Sequence, residues 1–252
     1  MTARLFILVP AIATLALAQE APPPAPSPEA EKTAEPVKPS VKKLDGTRYQ
    51  IGEVIFDEKT REIRFPTVVN MTEGLLEFLV VHKNGKIHEA LLATEISPTH
   101  LNLAFTLLRY PPSRELYPLP NGTGGLSGEL PVVPPEIKAA ARVAIDVEWK
   151  EGEKVRRVPV NEWIQHEVKT TSMPAGPWVY GGSDFNNGKY APETSGDIVS
   201  IFMSMASILN YPGTDYDNDD VWAPFPKRVP AAGTAVTVII TPYQNAKPIP
   251  KP

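Results

Sequence analysis

Between residues 46 and 245 the apolar side chains fall in short runs rich in β-branched and aromatic residues. That pattern restricts the chain to sheet-dominated folds. Arg61 to Val69 and Gly74 to Val81 read as strands. Asn84-Gly85, flanked by Val80 to Lys83 and Lys86 to Glu89, predicts a tight hairpin because both residues tolerate positive φ. Its two-residue loop would pair His82 with Ile87, Val81 with His88 and Val80 with Glu89, with apolar residues on both faces.

A helix follows, capped by Ser97, with Pro98 in its first turn and a stripe of Leu101, Ala104, Phe105 and Leu108. Residues 110–136 read as a long Pro/Gly loop containing Gly122, Gly124, Gly125 and Gly128, of a length that is often functional. Ala140 to Trp149 and Lys154 to Val160 predict a second hairpin around Glu151-Gly152, and Asn161 a cap for a short helix over Glu162 to Glu167. Trp178 to Tyr180, Asp197 to Met203 and Thr234 to Thr241 complete the strands, with 204–209 able to turn helical. The expected fold is α+β, a mainly antiparallel β-sheet single domain with one or two short helices.

This domain is flanked by segments of a different kind. Residues 1–18 read as an export signal: Arg4, an apolar run from Leu5 to Leu17, and the small-x-small ending Ala16-Leu17-Ala18. The run is short for a membrane span and holds Pro10, although an uncleaved anchor is the alternative. Residues 19–45 carry Pro22, Pro23, Pro24, Pro26, Pro28, Pro36 and Pro39 among Ala, Glu and Lys, the composition of a disordered tether. Residues 246–252 form a second short tail. The expected location is periplasmic or secreted.

Charge and cysteine content exclude whole classes. The chain has 25 basic and 29 acidic residues; losing Arg4 with the signal leaves 24 against 29, a net of −5. No basic block exceeds Lys42-Lys43 or Arg156-Arg157, so the concentrated positive face that nucleic acid requires is missing. No segment after the signal is long and apolar enough to span a membrane; Ile198 to Leu209 is short and interrupted by serines. With no cysteine, thiol catalysis, cysteine-ligated zinc and iron–sulfur clusters are ruled out.

Searches for catalytic patterns return little. Gly-x-Ser-x-Gly does not occur, and Ser-x-x-Lys occurs only from Ser40 to Lys43. Of His82, His88, His100 and His166, neither His88-Glu89 nor His166-Glu167 has the second histidine of a zinc-protease helix. His88, Glu89 and Asp184 are the candidate catalytic groups, against a plainer reading of His88 as a buried, hydrogen-bonded sheet residue. Asp215, Asp217, Asp219 and Asp220 cluster oxygen ligands of the kind calcium accepts. They lack the closing glutamate of an EF-hand and would need help from Asp184, Glu193 or Asp197; the alternative is a solvated turn. Trp178, Tyr180 and Ser183, next to Gly181-Gly182, combine aromatics and glycines as a ligand cleft does, or as a core against a tight turn does.

Taken together, several segments resemble the YdjY-like domain of exported bacterial proteins. They are Gly85 to Leu92 before the Ser97 helix, Trp178 to Ser183, Gly196 to Ser200, Asn218 to Trp222 and Gly233 to Thr237. The resemblance covers about residues 46–245 and implies a bacterial, exported protein without an assigned reaction. It singles out His88-Glu89, Ser183-Asp184 and Asp219-Asp220 as recurring polar positions. The iron–sulfur label carried by some relatives does not transfer to a chain without cysteine. The leading expectation is a non-catalytic envelope domain that binds a partner protein or small ligand. A hydrolase or other enzyme built on His88 and carboxylates, and a calcium-stabilised structural domain, are the alternatives.

Overall fold

The computed structural model describes residues 40–243; the export segment, most of the tether and the tail lie outside them. In chain order the first elements are β1 (Val41–Lys43), β2 (Arg48–Ile51), β3 (Val54–Asp57), β4 (Ile63–Val69), β5 (Phe78–His82), β6 (Ala90–Thr94) and α1 (Pro98–Leu107). Then come α2 (Pro135–Ala140), β7 (Arg142–Glu151), β8 (Lys154–Pro159), β9 (Ile164–His166), β10 (Thr171–Ser172) and β11 (Trp178–Tyr180). The last are β12 (Phe185–Asn186), β13 (Lys189–Tyr190), α3 (Ala191–Ser195), β14 (Asp197–Ser200), β15 (Leu209–Asn210), β16 (Trp222–Pro224) and β17 (Ala235–Pro242). The domain is mostly β with a few short helices.

Its centre is a closed barrel. The strands run β4-β17-β7-β11-β15-β14-β5-β6, and β6 pairs back onto β4. Closure leaves no open edge among these eight, and side chains fill so narrow a barrel. The alternation needed for this is clear in β7, where Val143, Ile145 and Val147 are buried while Ala144, Asp146 and Glu148 are half-exposed. Register brings Phe65, Val238 and Val147 into one inward row and Ile63, Ile240 and Ile145 into the next. Each such side chain contributes about 1.5–3 kcal/mol of gross burial energy. The outer face of the same strands carries ion pairs instead, Arg64 with Glu148 at 3.4 Å and Arg157 with Asp146 at 2.7 Å. That is the reverse of the apolar outer band of a lipid-embedded barrel.

Strand β4 serves two neighbours on one edge. Its first half pairs with β3 and its second half with β6, so a fork opens beside Pro66. Proline has no N–H to leave unpaired there. Its carbonyl accepts a hydrogen bond from Thr94 Oγ1 at 2.6 Å. The residues at the fork thus satisfy the backbone that neither strand reaches.

Several local expectations hold. The Ser97 hydroxyl caps α1 by accepting from His100 N, and Leu101, Ala104, Phe105 and Leu108 are buried. The β7–β8 hairpin turns at Gly152, in the left-handed region at φ 63°, with Glu151 opposite Lys154. Others are corrected. Asn84-Gly85 forms no hairpin: β5 and β6 are parallel, Val80 opposite Leu92, and residues 87–89 make a single 3-10 turn between them. Burying Leu91 and Leu92 between β4 and β5 outweighs the turn preference. Of the other two Asn-Gly pairs, Asn121-Gly122 lies in the long loop and Asn187-Gly188 makes the two-residue hairpin, with φ of 50° and 76° between β12 and β13.

Residues 162–167 are not a helix; a 3-10 turn over Val160–Trp163 passes directly into β9, which pairs with β10 and β16. Residues 204–209 are a turn leading into β15, and 135–140, assigned partly to the loop, form α2. Val41–Lys43, assigned to the tether, form a strand paired with β2, their side chains largely exposed and Lys43 Nζ 5.5 Å from the Tyr49 ring centroid. The sheet is mainly antiparallel, with two parallel pairs, β5–β6 and β14–β15.

Candidate functional site

The candidate catalytic residues occupy separate neighbourhoods. His88 is neither buried nor in a strand: its side chain is 73% exposed on the 3-10 turn, 3.4 Å from Glu89 Oε1. The short turn faces solvent, so the histidine was placed wrongly together with the hairpin. Asp184 is exposed and lies 3.5 Å from Arg114, whose Nη2 donates to the Ser183 carbonyl at 2.6 Å.

Trp178, Tyr180 and Ser183 are buried in the barrel wall. Tyr180 stacks on Phe105 with ring centroids 4.3 Å apart, and its hydroxyl donates to Asn102 Oδ1 at 2.7 Å. Burial pushes the Tyr180 phenol up to about 12. Trp178 Nε1 donates to Asn161 Oδ1 at 3.4 Å, and Ser183 Oγ donates to the carbonyls of Met205 and Ala206. These bonds hold wall and loops together.

In the aspartate-rich run, Asp217, Asp219 and Asp220 are exposed, and Asn218 Oδ1 accepts from Asp220 N at 3.1 Å. Asp215 turns inward in the left-handed region, at φ 61°. Its Oδ2 lies 3.6 Å from His166 Nε2 and 3.7 Å from Lys169 Nζ. Among the described residues, no three His, Asp or Glu side chains are grouped to share an ion. Glu193 instead sits at the start of α1, accepting from Ser97 Oγ and from Thr99 N at 2.9 Å. Burial raises its carboxyl, but these hydrogen bonds outweigh that and leave it below the ordinary value.

Sequence reading missed a buried polar chain beneath residues 201–208, the loop joining the parallel strands β14 and β15. Asp197 Oδ2 accepts from Ser204 Oγ at 3.1 Å, and Ser204 N donates to Asn210 Oδ1 at 2.8 Å. The hydroxyls of Ser200 and Ser207, both fully buried, bond to each other. Burial raises the Asp197 carboxyl above the ordinary aspartate value, opposed by Ser204, Lys86 and Ser195. Lys86, on the connection between β5 and β6, reaches Glu77 at 3.1 Å and Glu89 at 3.5 Å. Both parallel connections therefore meet at Asp197.

The long Pro/Gly loop is the other departure from ordinary surface. Between 119 and 134 it exposes Leu119, Leu126, Leu130 and Val132, the last completely. Yet it is internally ordered. Asn121 Oδ1 accepts from Thr123 N, Thr123 Oγ1 and Gly125 N, all within 3.1 Å. Backbone bonds run from Leu119 N to Glu129 O and from Ser127 N to Leu119 O. Its base is seated: Leu116 and Tyr117 pack with Ala141 and Val179 beneath Met203 and Met205, and the Tyr117 hydroxyl donates to Ser207 O at 3.1 Å. Four aliphatic side chains of this hydrogen-bonded loop thus stand in solvent.

The family model of the YdjY domain matches residues 54–241. The chain belongs to the YdjY domain family. Neither the curated proteins nor the solved structures searched contain a match to it. The matched stretch runs from the start of β3 to the penultimate residue of β17, so this YdjY domain includes every barrel strand, both parallel connections and the 119–134 loop. The β1–β2 pair lies before it. Among the described residues of this YdjY domain no helix is long and apolar enough to cross a membrane. Two open grooves of about 300 and 400 Å³ on the outer barrel face meet at Pro66 and Thr67.

Proposed function

We propose that this YdjY domain is an exported, non-catalytic binding module of the bacterial envelope that docks a protein partner through residues 119–134. The observation that carries the reading is the set of aliphatic side chains at 119, 126, 130 and 132, exposed on a loop already ordered by Asn121. Pre-ordering lowers the entropic cost of association, and the apolar groups supply its driving force. Glu129 is the one charged residue between 118 and 135, and no basic residue accompanies it. An anionic membrane surface or nucleic acid attracts basic residues, so an apolar protein groove is the better match. The export segment read from the sequence fits a domain that works outside the cytoplasm.

The test places a photo-crosslinking residue at Val132, and as a control at Val168, which is 82% exposed in the turn between β9 and β10, in the producing cell. A discrete adduct from position 132 and none from 168 is expected. Leu126→Ser with Leu130→Ser, introduced beside the crosslinking residue at 132, should abolish that adduct while changing stability by less than about 0.5 kcal/mol. Equal adducts at both positions, or none at 132, overturn the reading. The mass of the mature protein, beginning at Gln19 if the signal is removed after Ala18, tests export.

A further inference from the structure

The base of the docking loop and the buried carboxylate of Asp197 are joined by one short segment. From Asp197, the first residue of β14, the contact passes through Oδ2 to Ser204 Oγ. Ser204 lies in 201–208, whose Met203 and Met205 cover Leu116 and Tyr117, and whose Ser207 carbonyl accepts from the Tyr117 hydroxyl. Two residues further on, Leu119 opens the docking loop with its N–H bonded to Glu129 O. We propose that Asp197 is a proton-operated latch that sets how firmly 201–208, and with it the base of the docking loop, is seated on the barrel. This inference rests on the docking reading for its biological meaning, but the latch itself is a property of the free protein.

The physical basis is the competition between burial and charge. Asp197 is 7% exposed, and its carboxylate is helped by the Ser204 hydroxyl and less by Ser195, while Lys86 is engaged in its own pairs with Glu77 and Glu89. A neutral carboxyl suits such a site; a carboxylate gains by letting water in. The surrounding charges are few. From the β5–β6 connection Lys86 faces Asp197; from β5, His82 lies against Gly196, where an added Cβ would meet His82 Cβ at 3.5 Å. From α3, Glu193 is turned to the start of α1, and Ser195 Oγ accepts from Asp197 N at 3.1 Å. The segment 201–208 contributes no ionisable group.

The direction follows from linkage. A carboxyl raised in the seated state binds more protons there than in the opened state, so seating weakens as pH rises from the ordinary aspartate value to the raised one. Above that value the dependence is flat. Amide hydrogen exchange of the full mature chain, corrected for intrinsic rates between about pH 4 and about pH 7, reads this directly. Opening at Tyr117, Leu119, Ser204 and Ser207 should increase with pH, by up to about tenfold per unit within that window. Asp197→Asn should remove the dependence and leave the segment protected throughout. A dependence that persists in Asp197→Asn comes from another group and overturns the latch; so does a flat wild-type profile. Ser204→Ala guards against misfolding of the first variant: it removes a hydroxyl that favours the carboxylate, so it should make the pH dependence of exchange at Leu119 steeper or wider, and a flat profile in this variant also overturns the latch. Crosslinking at Val132 is scored separately, so loss of the docking reading and loss of the latch are told apart.

Discussion

Residues 119–134 and 201–208 are both irregular, yet they are held in opposite ways. The 201–208 segment is fastened from outside itself: Asp197, Ser200 and Asn210, on the strands it joins, and Ser183 supply its hydrogen bonds. The 119–134 loop makes its bonds to itself, through Asn121 and a few backbone pairs, and turns its aliphatic side chains to solvent. A segment whose polar groups are buried in a wall cannot be altered without leaving a neighbour unsatisfied. A self-ordered loop standing off the wall can change sequence and partner while the barrel persists.

The sharpest way to break this contrast is through glycine. A Cβ at Gly196 would lie 2.7 Å from Gly85 Cα, and its φ is 81°, so Gly196→Ala should destabilise by about 3 kcal/mol or more in chemical denaturation. Gly122 also has positive φ, at 65°, but meets nothing within 4 Å, and Gly122→Ala should cost about 1 kcal/mol or less. Equal costs would mean that the Gly196 turn, which leads through β14 into 201–208, is packed no more tightly than the 119–134 loop.

Next in size, Ser207→Ala strands the fully buried Ser200 hydroxyl, with an expected loss of about 1–3 kcal/mol in the same measurement. A cost near zero would show that this polar chain does not hold the segment. A smaller effect tests whether seating extends to α1 through Glu193. Its folded carboxyl is depressed, so its contribution is present above the unfolded value and fades as pH falls through the folded one. Glu193→Gln should cost under about 1 kcal/mol at neutral pH, screened by its exposure, and nothing measurable in acid. Smallest of all is the effect of serine at 126 and 130 on stability.

Features governed by neighbouring residues were legible in the chain. The Ser97 cap, the Leu101–Phe105 stripe and the Gly152 turn each depend on a few adjacent side chains, and the structure has them all. The family was legible too, from Gly85 to Leu92, Trp178 to Ser183 and the later runs, and the family model covers them. The candidate sites were legible in part. The 110–136 loop was singled out by its glycines and prolines, but its exposed aliphatics could not be told from core residues. His166 was set aside for want of a second histidine, although Asp215 meets it across the fold. The one available signal for Asp197 was an acidic residue opening an otherwise apolar strand.

What the sequence by itself determined is the short-strand composition, the helix after Ser97, the absence of thiol chemistry and membership of the family. Each follows from residue identity or from contacts a few positions apart. The tertiary structure decided which Asn-Gly turns as a hairpin, that β5–β6 and β14–β15 run parallel, and that eight strands close. It also decided that two connections converge on Asp197. Those outcomes depend on burying Leu91, Leu92 and their counterparts against strands far away in the chain, a gain that outweighs any local turn preference.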